Sequence, residues 1–156
     1  MQNSRIDLAP RIREQAAQLL NARLADAVDL KLQAKQAHWN VKGAGFIALH
    51  ELFDGVAGRI DAQADDIAER ITALGGVAEG TLQAVAGRTT LPAYPSGAAD
   101  HVARLADALA RYGKEARAAI DAATEIGDAG TADLFTGISR AVDKDLWFLE
   151  AHLQDR

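Results

Sequence analysis

The chain has 156 residues and no cysteine, so disulfides and thiolate metal sites are excluded and a reducing compartment is its natural setting. Asp and Glu total 22 against 17 Lys and Arg, a formal net charge of -5 that argues against a basic nucleic-acid-binding domain. No basic stretch followed by an apolar run opens the chain, and no long uncharged apolar segment occurs. The expectation is therefore a cytoplasmic protein with no signal peptide and no membrane span.

Helix-favouring residues dominate, with few β-branched runs. The spacing predicts a first helix from about Pro10, a residue suited to an opening turn. It carries Ile12, Ala16, Leu19, Leu20, Leu24, Ala27 and Leu30 toward Ala34, and it stops before the Gly43-Ala44-Gly45 turn. A second helix is predicted from about Phe46 to Leu74. Phe46, Leu49, Phe53, Val56, Ile60, Ile67, Ile71 and Leu74 recur at steps of three and four, with Ala64 between, until Gly75-Gly76 ends the run. Residues 75–97, rich in glycine and holding Pro92 and Pro95, read as a long connection with one short helix around Leu82–Ala86. A third helix is predicted from about Ser96 to Thr124 and a fourth from Asp128 or Thr131 to Leu153.

Two short links and one long one suit two antiparallel hairpins joined by a crossover, the arrangement of a ferritin-like four-helix bundle. Residues 1–156 form one domain in this reading, with residues 1–9 as a short N-terminal tail.

Chemistry concentrates at the end of the first helix and along the second. His38 closes the first, and His50, Asp54, Asp61, Asp65 and Glu69 follow. Imidazole with carboxylate suits iron(II) and its divalent neighbours better than magnesium or calcium. At ~100° per residue the last five share a sector of roughly 100° beside the apolar stripe. His50 with Asp54, and Asp65 with Glu69, are each one turn apart. The two pairs are separated by ~22 Å along the axis at ~1.5 Å per residue, so one helix cannot bring both to one ion. An antiparallel second copy across a two-fold axis can, and it would create two equivalent sites. Ala57, Gly58 and Ala68 on the same flank would permit close approach. Gly55 and Gly58, each costing about 1 kcal/mol inside a helix, fit the same idea.

A charged stripe is also what a solvated helix face looks like, and spacing alone leaves that alternative open. His101 and His152 lack carboxylate partners and read as surface or core residues; Trp39 and Trp147 read as packing residues, Trp39 standing beside His38. A Glu-x-x-His motif is absent, which argues against a diiron centre inside one bundle.

The run Lys35-Gln36-Ala37-His38-Trp39-Asn40-Val41-Lys42-Gly43, continued by Phe46-Ile47-Ala48-Leu49-His50-Glu51-Leu52-Phe53-Asp54-Gly55, resembles the signature of the Dps family, the miniferritins. Ala64-Asp65-Asp66-Ile67-Ala68-Glu69-Arg70, Leu74-Gly75-Gly76, Thr131-Ala132-Asp133 and Asp145-Leu146-Trp147-Phe148-Leu149-Glu150 extend the resemblance over nearly all the chain after residue 10. The resemblance implies a hollow homododecamer with ferroxidase sites at its two-fold interfaces. His38, His50 and Asp54 would come from one subunit, and Asp65 and Glu69 from its partner; Asp61 lies outside the family's core set. It also implies oxidation of iron(II), preferably by hydrogen peroxide, and storage of ferric oxide in the cage, which suppresses hydroxyl-radical formation. Asp128 and Asp133 resemble acids that line three-fold entry pores, and equally suit helix-start acids favoured by the macrodipole.

Ligands of this kind must be deprotonated, so acidification is expected to weaken iron binding. Family members that coat DNA commonly use a lysine-rich tail. Here the first fourteen residues hold Arg5, Arg11 and Arg13 against Asp7 and Glu14, and His152 to Arg156 offers one arginine beside one aspartate. DNA is accordingly expected as a weak partner, with physical shielding of the nucleoid as the competing reading.

Overall fold

A computed structural model describes residues 1–154; Asp155 and Arg156, the charge pair counted at the C-terminal end, lie outside the described residues. The helices are α1 (Pro10–Asn40), α2 (Phe46–Ala73), α3 (Leu82–Arg88), α4 (His101–Ile126) and α5 (Ala129–Glu150), with no strand among the described residues. The four long helices form the bundle, and α3 sits within the predicted crossover.

Local chemistry sets the helix ends. Pro10 opens α1, where a missing N–H costs nothing. Asp128 caps α5 by accepting the Thr131 backbone N–H at 3.1 Å. Two boundaries differ from expectation. Helix α4 begins at His101 rather than Ser96, because Ser96 and Gly97 lie in a turn in which the Pro95 carbonyl accepts the Ala98 N–H at 3.0 Å. Helix α5 stops at Glu150, and residues 151–153 continue as turns rather than helix.

The predicted stripes form the core. Leu20, Leu30, Phe53, Ile60, Ile67 and Ile71 are fully buried, and α4 and α5 add Leu105, Leu109, Tyr112, Phe135 and Leu149. Burial of each large apolar side chain stabilises the fold by about 1.5–3 kcal/mol. Helix α1 packs along α2 and α4 along α5, as the two predicted hairpins require, and α1 also packs on α4 and α3.

Helix α2 makes little contact with α5, and that seam is held by ion pairs. The Arg59 guanidinium lies 2.7 Å from Asp145, and that of Arg70 lies 2.8 Å from Asp128; both carboxylates are almost fully buried. On the other side Arg23 of α1 reaches Glu115 of α4 at 2.6 Å. Buried Asp26 accepts the Thr90 N–H at 2.7 Å and so pins the crossover to α1. Burial pushes the Asp26 carboxyl above its ordinary range, opposed by the Thr90 hydrogen bond and the Arg23 charge.

Residues 1–9 carry no helix and lie against the bundle: the Gln2 N–H donates to the Gly75 carbonyl at 2.7 Å, and Leu8 packs on the core. Gly75 has φ +89°, and a Cβ there would lie 2.5 Å from the Gln2 carbonyl oxygen, so that corner requires glycine. Trp39 and Trp147 are not packing residues within the chain, being 65% and 59% exposed.

Candidate metal centre

The α1–α2 corner brings His38 and His50 together. Their rings stack with centroids 3.7 Å apart and an interplanar angle of 22°. His38 Nδ1 lies 2.8 Å from the His50 carbonyl oxygen, and His50 Nδ1 lies 2.9 Å from the His38 carbonyl oxygen. A carbonyl can only accept, so both Nδ1 atoms carry hydrogen and donate. In the neutral rings each Nε2 is therefore left as a lone-pair donor. This is the outer-shell arrangement that orients a metal-ligating histidine. Phe46, one turn before His50, lies 5.1 Å from its ring and covers one side.

Asp54 follows one turn after His50 and is exposed. Lys35 Nζ donates to its Oδ1 at 2.7 Å, and this hydrogen bond and charge hold the carboxyl below its ordinary range. Asp61 is paired in the same way with Lys31 at 2.6 Å. Lys31 and Lys35, one turn apart on α1, thus face successive acids of the antiparallel α2.

Asp65 and Glu69 also lie on the exposed side of α2, one turn apart, and no basic side chain among the described residues pairs with either. The structure brings His38, His50 and Asp54 to one end of the stripe and leaves Asp65 and Glu69 about 22 Å away at ~1.5 Å per residue. Among the described residues no group of three or more His, Asp or Glu side chains within one chain is arranged to hold a metal ion.

The flank between the two pairs differs in part from expectation. Gly58 is exposed, and a Cβ there would meet nothing within 4 Å. Ala57 instead faces the core at 3% exposure. At Gly55 a Cβ would lie 3.1 Å from the guanidinium of Arg59, the group that reaches Asp145.

Asp128 and Asp133 part company. Asp128 is 1% exposed; it caps α5, accepts the Thr131 hydroxyl at 2.5 Å and pairs with Arg70. Asp133 is exposed on the outer face of α5. His101 is buried with its Nδ1 2.5 Å from the Tyr94 hydroxyl, and His152 is exposed. Sequence reasoning missed Lys31 and Lys35. The available signal was their placement one and two turns before His38, in register with Asp54 and Asp61 on an antiparallel neighbour.

A sequence model described as the ferritin-like domain matches residues 17–156. A relative from Agrobacterium fabrum named DNA protection during starvation protein is 48% identical over 156 residues, covering 96% of this chain and 94% of the relative. This chain belongs to the Dps family. Two solved structures agree with that placement. DpsC from Streptomyces coelicolor superimposes with a TM-score of 0.95 at 35% identity, over 99% of this chain and 92% of the other. Dps from Microbacterium arborescens in the high iron form does so with a TM-score of 0.88 at 38% identity, over 94% and 97%. This chain contains no Glu-x-x-His motif; the candidate acids Asp54, Asp65 and Glu69 stand on the exposed side of α2, and His38 and His50 are half-buried at the α1–α2 corner. No described helix is long and apolar enough to cross a membrane.

Proposed function

We propose that this Dps chain is a ferroxidase and iron-storage subunit that pairs about two-fold axes and assembles into a hollow dodecamer. Each site then combines His38, His50 and Asp54 of one subunit with the acid pair at positions 65 and 69 of its two-fold mate. The observation that carries this reading is the reciprocal histidine pair, whose two Nδ1–H groups are committed to backbone carbonyls and whose two Nε2 atoms are free. These bonds fix both rings in the tautomer that presents Nε2, which is the form an imidazole must take to bind a divalent cation through that nitrogen. The exposed acid pair, which no basic side chain among the described residues pairs with, supplies the complementary half.

Iron(II) is the substrate. The histidines fix its position, the carboxylates offset its charge, and an incomplete protein ligand set leaves room for the oxidant. Hydrogen peroxide is the preferred oxidant: two ferrous ions each give up one electron, the O–O bond breaks, and the oxygens leave as water or hydroxide. Ferric oxide is then stored inside the cage. Asp133, the exposed acid of the α5 pair, is the residue we assign to an entry pore, while Asp128 serves as a structural cap. Protection of DNA is chemical in this reading, through joint removal of iron and peroxide in the cytoplasm. Strong direct binding is not expected at a net charge of -5 with no lysine before Lys31.

The test is an anaerobic iron(II) titration followed by peroxide, on wild type and His50→Ala, with particle mass measured alongside. Wild type should bind iron(II) and consume peroxide in proportion, and His50→Ala should lose both while keeping its mass. Equal behaviour of the two proteins would refute the assignment. A gel shift across salt concentrations addresses DNA: tight, salt-sensitive binding would favour physical shielding of the nucleoid.

A further inference from the structure

The histidine half of the site carries a cation of its own. Lys35 stands on α1 one turn before His38, with its Nζ 2.7 Å from Asp54 Oδ1 and 5.7 Å from the centre of the Trp39 ring. The lysine side chain is 28% exposed, so the ammonium is held between the carboxylate below and the indole face beside it. We propose that Lys35 is the resident counter-ion of this half-site: it holds the Asp54 carboxylate in place without metal, and an incoming divalent cation must displace it. Lys35 is then a positioning residue that sets the affinity for cation loading. The inference rests on the ligand assignment made above.

Three observations separate this contact from an ordinary surface ion pair. Asp54 stands one turn from His50, so its oxygen belongs to the same end of the stripe as the two free Nε2 atoms. An ammonium and a divalent cation cannot share one carboxylate oxygen without strong repulsion. The acid half, Asp65 and Glu69, has no such ammonium among the described residues, so the two halves differ in readiness: one is open and the other is closed by a lysine. Lys31 on Asp61 provides an internal comparison, since it has the same geometry on an acid outside the proposed ligand set. On leaving Asp54, the Lys35 ammonium keeps the Trp39 face within reach.

The test is calorimetric titration of the assembled protein with cobalt(II), which suits imidazole and carboxylate ligands and binds without iron oxidation. Lys35→Gln, and Lys35→Met as a second neutral variant, should bind cobalt(II) roughly three- to tenfold more tightly than wild type, the scale of a lost exposed ion pair plus relieved cation repulsion. Lys35→Arg keeps a cation on Asp54 and should not gain affinity. Lys31→Gln should stay within about twofold of wild type, because screening by salt reduces the effect of a charge that touches no ligand. Unchanged or weaker binding by both neutral Lys35 variants would overturn the inference. So would an equal gain from Lys31→Gln, which would mark a general field effect. His50→Ala separates the two levels. If it binds cobalt(II) like wild type, the ligand set is wrong and this inference falls with it. If it loses binding while the Lys35 variants match wild type, only the role of Lys35 fails.

Discussion

Refolding an equimolar mixture of two inactive variants tests whether the site is shared between subunits. The first variant carries His50→Ala and Asp54→Ala, which removes the imidazole half. The second carries Asp65→Asn and Glu69→Gln, which removes the acid half. On α2 these halves are separated by ~22 Å at ~1.5 Å per residue, so no single chain can complete a site. Random pairing about a two-fold axis makes about half of all dimers mixed. In a mixed dimer one site inherits both defects, and the other inherits the intact half of each chain. One site in two is restored in half of the dimers, so the mixture should recover about a quarter of the wild-type rate per subunit. Each parent alone should stay near background. The assay is the initial rate of ferric product formation after peroxide is added to anaerobically loaded protein, with native mass spectrometry establishing that the chains have mixed. A mixture that contains mixed oligomers yet remains at the parental rate would refute the shared site. Near wild-type activity in either parent would refute the ligand assignment.

Other expectations concern the frame that holds the site. Arg70→Ala should destabilise the chain by about 2 kcal/mol in denaturant melts, since it strips a partner from buried Asp128 at the α2–α5 seam while some solvent access softens the loss; a change below about 0.5 kcal/mol would mean the pair contributes little there. Gly75→Ala forces φ +89° on a residue with a Cβ and drives that atom to 2.5 Å from the Gln2 carbonyl. It should cost at least about 1–2 kcal/mol and expose the first nine residues to limited proteolysis, and unaltered cleavage would sink the docking of that segment. The Asp54 carboxyl, held below its ordinary 3.8 by Lys35, should titrate below that value in metal-free protein by carbon-13 NMR and rise toward it in Lys35→Gln. Because the folded value is depressed, the stabilisation from this pair is fully present above the ordinary value and is lost as pH falls through the depressed one. An Asp54 titration that does not move in the variant would refute the Lys35 cause.

Much of the fold was legible because the apolar residues recur at helical steps. Phe53, Val56, Ile60, Ile67 and Ile71 could share one face only in a helix, and all of them are buried. Short links forced antiparallel neighbours, and the long glycine- and proline-bearing stretch forced a crossover. The misplacements fell where local turn chemistry competes with helix propensity. The Pro95–Ala98 turn delays α4, and the docking of Gln2 on Gly75 joins segments too far apart in sequence for any periodic pattern to reveal. The exposed tryptophans were misread because residue type predicts burial only on average, and Trp39 and Trp147 face away from their own bundle.

The sequence by itself determined which residue types could serve as ligands and that the two pairs on α2 stand too far apart to cooperate within one helix, since helical rise is fixed by backbone geometry. Only the tertiary structure decided how those candidate side chains are held. The crossed carbonyl bonds of His38 and His50, the lysines seated on Asp54 and Asp61, and the commitment of Asp128 to Arg70 all depend on the register between packed helices. That register comes from side-chain packing across elements distant in the chain, and no local pattern encodes it.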